Sequence, residues 1–186
     1  FLQARSKNIY NELKARIDLE FIEPIRDEIS ELVLNGESET TEFKSTLRFD
    51  LRQKSLNKKL EYVIAKTIAA FMNCDGGKLL IGIDDNKNAL GLNNDLSTLK
   101  KENIDGFELQ LIGIINKYIG SGFNSHVKIS FPTYDDKQVC LIKVSKSSKP
   151  IFTTFEERED FFIRSGCSSQ PLSREQQSIY EKEHWP

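Results

Sequence analysis

The stretch Ala70-Phe71-Met72-Asn73-Cys74-Asp75-Gly76-Gly77-Lys78-Leu79-Leu80-Ile81-Gly82-Ile83-Asp84-Asp85 decides how the chain folds. Its first residues close a pattern that begins at Leu60, in which Val63, Ile64, Ile68 and Phe71 recur at the spacing of one buried helix face. Asp75-Gly76-Gly77 stops the pattern, and glycines suit a tight reversal because they carry no Cβ. Residues 79–83 are a short, nearly continuous apolar run, which reads as a buried strand. Asp84-Asp85-Asn86 and the residues up to Leu90 read as a turn.

Upstream, residues 40–46 are rich in Thr and Phe and predict a strand, followed by a polar loop over residues 48–57. Downstream, Asp105 with Glu108 resembles a capping box. It would open a helix whose buried face is Leu111, Ile112, Ile115 and Ile119 and whose end is Gly120. Val127, Ile129 and Phe131, then Val139 and Leu141, alternate around a turn at residues 132–137 and predict a hairpin. Residues 161–164 predict a further strand, and residues 173–183 a last helix with Ser173 as N-cap. At the other end, Ile9, Leu13 and Ile17 mark one helix; Ile25, Ile29, Leu32 and Val33 after Pro24 mark a second, closed by Asn35-Gly36. The expected class is α+β, a mixed β-sheet flanked by helices and preceded by an N-terminal helical arm. Residues 1–35 would be the arm or a linker, 36–175 the domain, and 176–186 the end of the last helix.

With 38% hydrophobic and 29% charged residues, the 186-residue chain has the composition of a globular protein. No apolar run approaches the ~20 residues that span a bilayer, so no membrane association is expected. No signal peptide is visible, and the first residue, Phe1, suggests a piece of a longer protein with additional domains. Cys74, Cys140 and Cys167 stand apart with no CxxC spacing, as idle thiols in a reducing cytoplasm do, so a cytoplasmic location is expected. His126 and His184 are isolated, which gives little support to histidine-based metal or triad chemistry.

The formal net charge is −2, but it is unevenly spread. Residues 1–42 carry five cations against ten acids. Then Lys44, Arg48, Arg52, Lys54, Lys58, Lys59 and Lys66 face only Asp50 and Glu61. Lys137, Lys143, Lys146 and Lys149 form a second basic stretch. If the two converge in space they could hold a phosphate backbone; if not, each is a solvated face.

Three places offer chemistry. Glu42 and Lys44 lie two apart and share one face of a strand. A carboxylate beside a lysine suits a divalent ion and a phosphate. Glu37 could join from the loop before the strand, and Asp84 or Asp85 from the exit of the next one; such a carboxylate set would take Mg²⁺ or Mn²⁺. Equally, Glu37 and Glu39 could be surface acids and Asp84-Asp85 only a turn. Gly76-Gly77 does not make a phosphate-binding P-loop: Leu79, not Ser or Thr, follows Lys78, and no glycine stands five before Gly77. Arg164, ahead of several serines, suits either a phosphate contact or an ion pair with an acid such as Asp160.

Taken in order, the Glu-rich entry to Glu42-Phe43-Lys44, the Phe71-x-Asn73-x-x-Gly76-Gly77 helix end, Gly82-Ile83-Asp84-Asp85 with Gly91, and Phe161-Phe162-Ile163-Arg164-Ser165-Gly166 resemble the Schlafen/AlbA-like nucleic-acid-binding domain family over roughly residues 36–175. The resemblance implies two roles. Many microbial members are DNA-binding modules of regulators or larger multidomain proteins, and some Schlafen members are metal-dependent ribonucleases acting on transfer and ribosomal RNA. Their catalytic acids map onto Glu37, Glu42 and Asp85, with Asp84 as the alternative. Two features of those ribonucleases are missing here: a second copy of the domain and a zinc-binding Cys/His cluster.

Three functional expectations follow. The first is a module that binds DNA or RNA through Lys44, Arg48, Arg52, Lys58, Lys59 and Arg164. The second is an endoribonuclease in which Glu37, Glu42 and Asp85 coordinate Mg²⁺ or Mn²⁺ and Lys44 steadies the phosphate. The third is a protein-interaction domain that forms a homodimer through its N-terminal helices.

Overall fold

The computed structural model describes residues 27–185. The predicted helix at residues 9–17 lies outside them. The second arm helix is α1, Glu28–Asn35, opened by Asp27, whose carboxylate accepts from the Ser30 amide at 2.9 Å.

Next come β1 (Thr41–Lys44), β2 (Phe49–Asp50), β3 (Ser55–Leu56), α2 (Lys58–Asn73), β4 (Gly77–Ile81), the short α3 (Asn93–Leu96) and α4 (Ile104–Tyr118). After a 3-10 turn at Ser121–His126 follow β5 (Val127–Ser130), β6 (Thr133–Tyr134), β7 (Lys137–Gln138) and β8 (Cys140–Val144). The chain closes with β9 (Thr153–Phe155), β10 (Arg158–Asp160), β11 (Phe162–Ser165), β12 (Ser168–Pro171) and α5 (Arg174–His184). The central sheet has the order β1-β4-β8-β5. β1 and β4 are parallel, and the other two pairings are antiparallel, so the sheet is mixed as expected. Among the described residues no helix is long and apolar enough to cross a membrane.

Alternation along the strands gives the sheet two apolar faces. Phe43, Leu80 and Leu141 pack against Ile29 and Val33 of α1. Leu79, Ile81, Ile142 and Val144 pack on the other face with Ile64 and Ile68 of α2 and Phe107 and Leu111 of α4. Each such side chain taken out of water contributes about 1.5–3 kcal/mol. The turn between α2 and β4 needs both glycines. Gly76 has φ +84°, and a Cβ there would lie 2.5 Å from the Val144 carbonyl oxygen; at Gly77 it would lie 2.3 Å from the Phe71 ring.

Two local expectations change. Asn103, not Asp105, caps α4: its side chain accepts from the Gly106 amide at 3.0 Å. Asp105 already sits in the first helical turn and pairs with Lys101 at 2.7 Å. Residues 48–57 are not simply a loop, because they hold the β2–β3 hairpin. The β9–β10 hairpin, absent from the sequence reading, turns at Glu156-Glu157 with φ +48° and +64°. Glutamates are unusual where Asn, Asp or Gly would be favoured, so the turn left no signal.

Charge also ties α1 to the sheet. Glu28 bridges Lys78 of β4 at 3.0 Å and Lys143 of β8 at 2.6 Å. Hydrogen bonding from Lys143, then Lys78, holds the Glu28 carboxyl below its usual range. A depressed carboxyl contributes stability above its unfolded value and loses it as pH falls through its folded one. Because the group is partly exposed, only a few tenths of a kcal/mol are expected. Amide exchange in α1 should therefore quicken slightly relative to α2 as pH drops below the ordinary glutamate range, and Glu28→Gln should abolish that difference.

Candidate nucleic-acid interface

Glu42 and Lys44 share the α2 face of β1, because Phe43 between them points to α1. Glu42 is buried and stands between two cations. Lys44 Nζ donates to its Oε1, and Arg164 Nη1 lies 2.7 Å from its Oε2. The Arg164 contact is ionic and off the hydrogen-bond line, so Oε2 accepts no directed bond. The Arg164 side chain is fully enclosed. Its Nη2 donates to the Ser38 carbonyl at 2.9 Å, Nε to the Glu39 carbonyl at 3.2 Å and Nη1 to Ser169 Oγ at 3.2 Å. The guanidinium also stacks over Phe71, 4.9 Å from the ring centre. Of the two readings open from sequence, the ion pair holds, with Glu42 rather than Asp160 as partner. In this structure Arg164 presents nothing to a phosphate.

Glu37 and Lys44 have a second task at the outer edge of β1. The Phe43 amide donates to Glu37 Oε1 at 2.8 Å, and the Phe43 carbonyl accepts from Lys44 Nζ at 2.9 Å. Ser38 and Thr41 exchange backbone hydrogen bonds beside them. A strand edge satisfied in this way is closed to pairing with another chain.

The residues do not fit the expected divalent ion. Glu42 is held by Lys44 and Arg164, Glu37 is committed to the Phe43 amide, and Asp85 is an exposed turn residue. Asp84 accepts from the Asn86 and Asn88 amides and from the Asn88 side chain, and these bonds, the side-chain one first, hold its carboxyl below the usual range despite slight burial. Among the described residues no group of three or more His, Cys, Asp or Glu is placed to hold a metal ion.

The two basic stretches do not meet in one trough. Lys143 bonds Glu28 on the α1 face of the sheet, while Lys44 lies on the opposite face. Lys137 donates to the Ala89 carbonyl at 2.7 Å, Lys146 pairs with Asp75 at 3.3 Å, and Lys149 sits 5.3 Å over the Phe123 ring.

The first stretch by itself makes a cationic surface. Arg52, Lys54, Lys58 and Lys59 are exposed on the β2–β3 hairpin and the first turn of α2, and none forms an ion pair among the described residues. Three of the neighbouring acids are engaged by groups of the fold. Asp50 accepts from the Arg52 and Gln53 amides and from Asn57. Glu61 takes Gln110 at 3.0 Å and an off-line ionic contact from Arg48 Nε at 3.1 Å. Asp95, fully buried, accepts the Leu47, Arg48 and Phe49 amides at 2.8, 2.9 and 2.9 Å. Arg48 is thereby removed from the predicted contact set, its side chain only 11% exposed.

Lys66, not singled out as a site residue, joins this set. It lies seven residues after Lys59 on the same side of α2, roughly 10 Å along the axis. Its ammonium sits 5.6 Å over the Phe162 ring. Burial draws it below the usual lysine value; Lys44 and Arg164 add to this, and Glu42 opposes it. Among the described residues it has no anionic partner. Only the tertiary fold brings Lys66 beside Lys44.

A family model described as Schlafen, AlbA_2 matches residues 37–173. No curated protein matches the chain. Among solved structures, the DIP2311 protein from Corynebacterium diphtheriae is similar over 80% of this chain, with 18% identity and a TM-score of 0.56. This likeness supports the fold, and it spans 24% of DIP2311. The N-terminal domain of a RecG-related protein from Nitrosomonas europaea matches over 78% of this chain and 90% of its own length, with 19% identity and a TM-score of 0.48. The family match covers most of the sequence and agrees with the α+β architecture: the chain belongs to the Schlafen, AlbA_2 family.

Proposed function

We propose that residues 36–175 are a nucleic-acid-binding module, working on DNA or RNA as part of a larger microbial protein. Arg52, Lys54, Lys58, Lys59 and Lys66 would contact phosphates, with Lys44 positioned behind them by Glu42. One observation carries this reading: five cations lack ion-pair partners, while Glu42 and Glu61 beside them are paired with cations of the fold and Asp95 is buried under three backbone amides. Against them stand the surface acids Asp50 and Glu156, so the balance of this surface is positive although that of the chain is not. Family membership supports the same reading. The ribonuclease alternative draws no support from the carboxylates: Glu37 and Glu42 serve the fold, and Asp85 stands exposed in a turn.

Phosphate contacts release counterions, so affinity falls with salt. Five such contacts predict a loss of roughly 130- to 500-fold between 50 and 200 mM salt, measured by fluorescence anisotropy with a labelled oligonucleotide. Lys59→Glu and Lys66→Glu should each weaken binding about tenfold and flatten the salt slope. Lys128→Glu, exposed on the α1 face, should change it by less than about twofold. Salt-independent binding would refute the assignment.

A further inference from the structure

A cleft of about 970 Å³ opens beside the start of α2. Three separate segments line it: Leu56, Lys58 and Lys59 from β3 and α2, Lys117 and Tyr118 from the last turn of α4, and Phe155 from β9. Its wall is apolar and aromatic. Phe155 stacks on Tyr62 with ring centres 4.4 Å apart and lies 6.1 Å from Tyr118, and Leu56 is 41% exposed. Its rim is cationic. Lys58, Lys59 and Lys117 are exposed and, among the described residues, form no ion pair. Lys117 Nζ donates to the Tyr118 hydroxyl at 2.7 Å and sits 4.3 Å over that ring. Glu156 is the one carboxylate in the lining.

Two placements are costly for the fold alone. Lys58 and Lys59 occupy the first two positions of α2, where the helix dipole favours acids. Leu56 keeps an apolar surface in water beside them. Both costs turn into gains if an anion with a flat apolar group enters the cleft. A nucleotide within a single strand is such a ligand, since every base has a π-face and every link a phosphate. A base inside a duplex cannot reach an aromatic wall without being unstacked.

We propose that this cleft receives an unpaired base of a single-stranded nucleic acid. The base lies against Phe155 and Leu56, and its flanking phosphates contact Lys58, Lys59 and Lys117. This rests on the nucleic-acid reading above and adds strand preference to it.

The test compares a labelled thymidine oligomer of about twelve nucleotides with a duplex of equal length, both by anisotropy at low salt. The single strand should bind at least tenfold more tightly. Phe155→Leu should cost roughly tenfold for the single strand, the equivalent of one stacking contact, and under twofold for the duplex. Glu156→Gln should tighten single-strand binding a few-fold by removing the one opposing charge. This gain cannot come from misfolding, and its restriction to the single strand decides the matter even if the Phe155 variant is unstable; an equal gain for the duplex overturns the cleft. Equal affinity for both probes, or Glu156→Gln without effect, overturns the cleft while leaving the cationic surface in place. If neither probe binds, both proposals fall together.

Discussion

Replacing Arg164 with methionine is expected to destabilise the domain by about 4 kcal/mol, because it strands a buried carboxylate and removes the partner of two carbonyls. Glu42 would keep only Lys44, and Ser38 and Glu39 would lose the guanidinium that ties the entry of β1 to the β11–β12 hairpin. The change should appear as a shift in the urea midpoint with little change in slope. Combining it with Glu42→Gln should cost less than the sum of the single changes by at least about 1 kcal/mol, since the two share one interaction. A methionine variant of wild-type stability that binds nucleic acid more weakly would instead make Arg164 a phosphate contact and overturn the structural assignment.

Asn73→Ala should cost about 3 kcal/mol. The Asn73 side chain is fully buried. Its amide donates to the Ile151 and Phe162 carbonyls at 2.8 and 2.9 Å, and its oxygen accepts from the Ile151 amide at 2.8 Å. Alanine would leave three buried backbone groups without partners, and each carries a desolvation cost of roughly 1–3 kcal/mol before relaxation. Stability measured by chemical denaturation checks this. A loss under about 1 kcal/mol would show that the clasp is replaceable.

These two residues explain why the sequence signature was easier to read than the site. Asn73 and Arg164 belong to the segments that carry the family resemblance, and both hold separate segments of the fold together. Glu42, a candidate metal ligand from its place beside Lys44 and a candidate catalytic acid from the family resemblance, is engaged by Lys44 and Arg164. Glu37, the other acid of that entry, closes the edge of β1. Cations and acids at strand positions look the same in a sequence whether they bind a ligand or each other. What separates the two cases is the partner across the fold, more than 120 residues away for Arg164 and the carbonyls of Ser38 and Glu39.

By itself the sequence determined the helix-turn-strand from α2 to β4, the hairpin of β5 and β8, the last helix, the α+β class and the family. The elements rest on apolar periodicity and turn residues, which act over a few positions and are written locally, and the family on the resemblance of its motif segments. It also marked Arg52, Lys58 and Lys59 as cations. Only the tertiary structure decided which charges remain free. It turned Arg48 onto Glu61, put Lys143 and Lys44 on opposite faces of one sheet, brought Lys66 to Lys44, and built a cleft from three distant segments. Charge pairing and concavity depend on distances between residues far apart in the chain, and no local pattern encodes them.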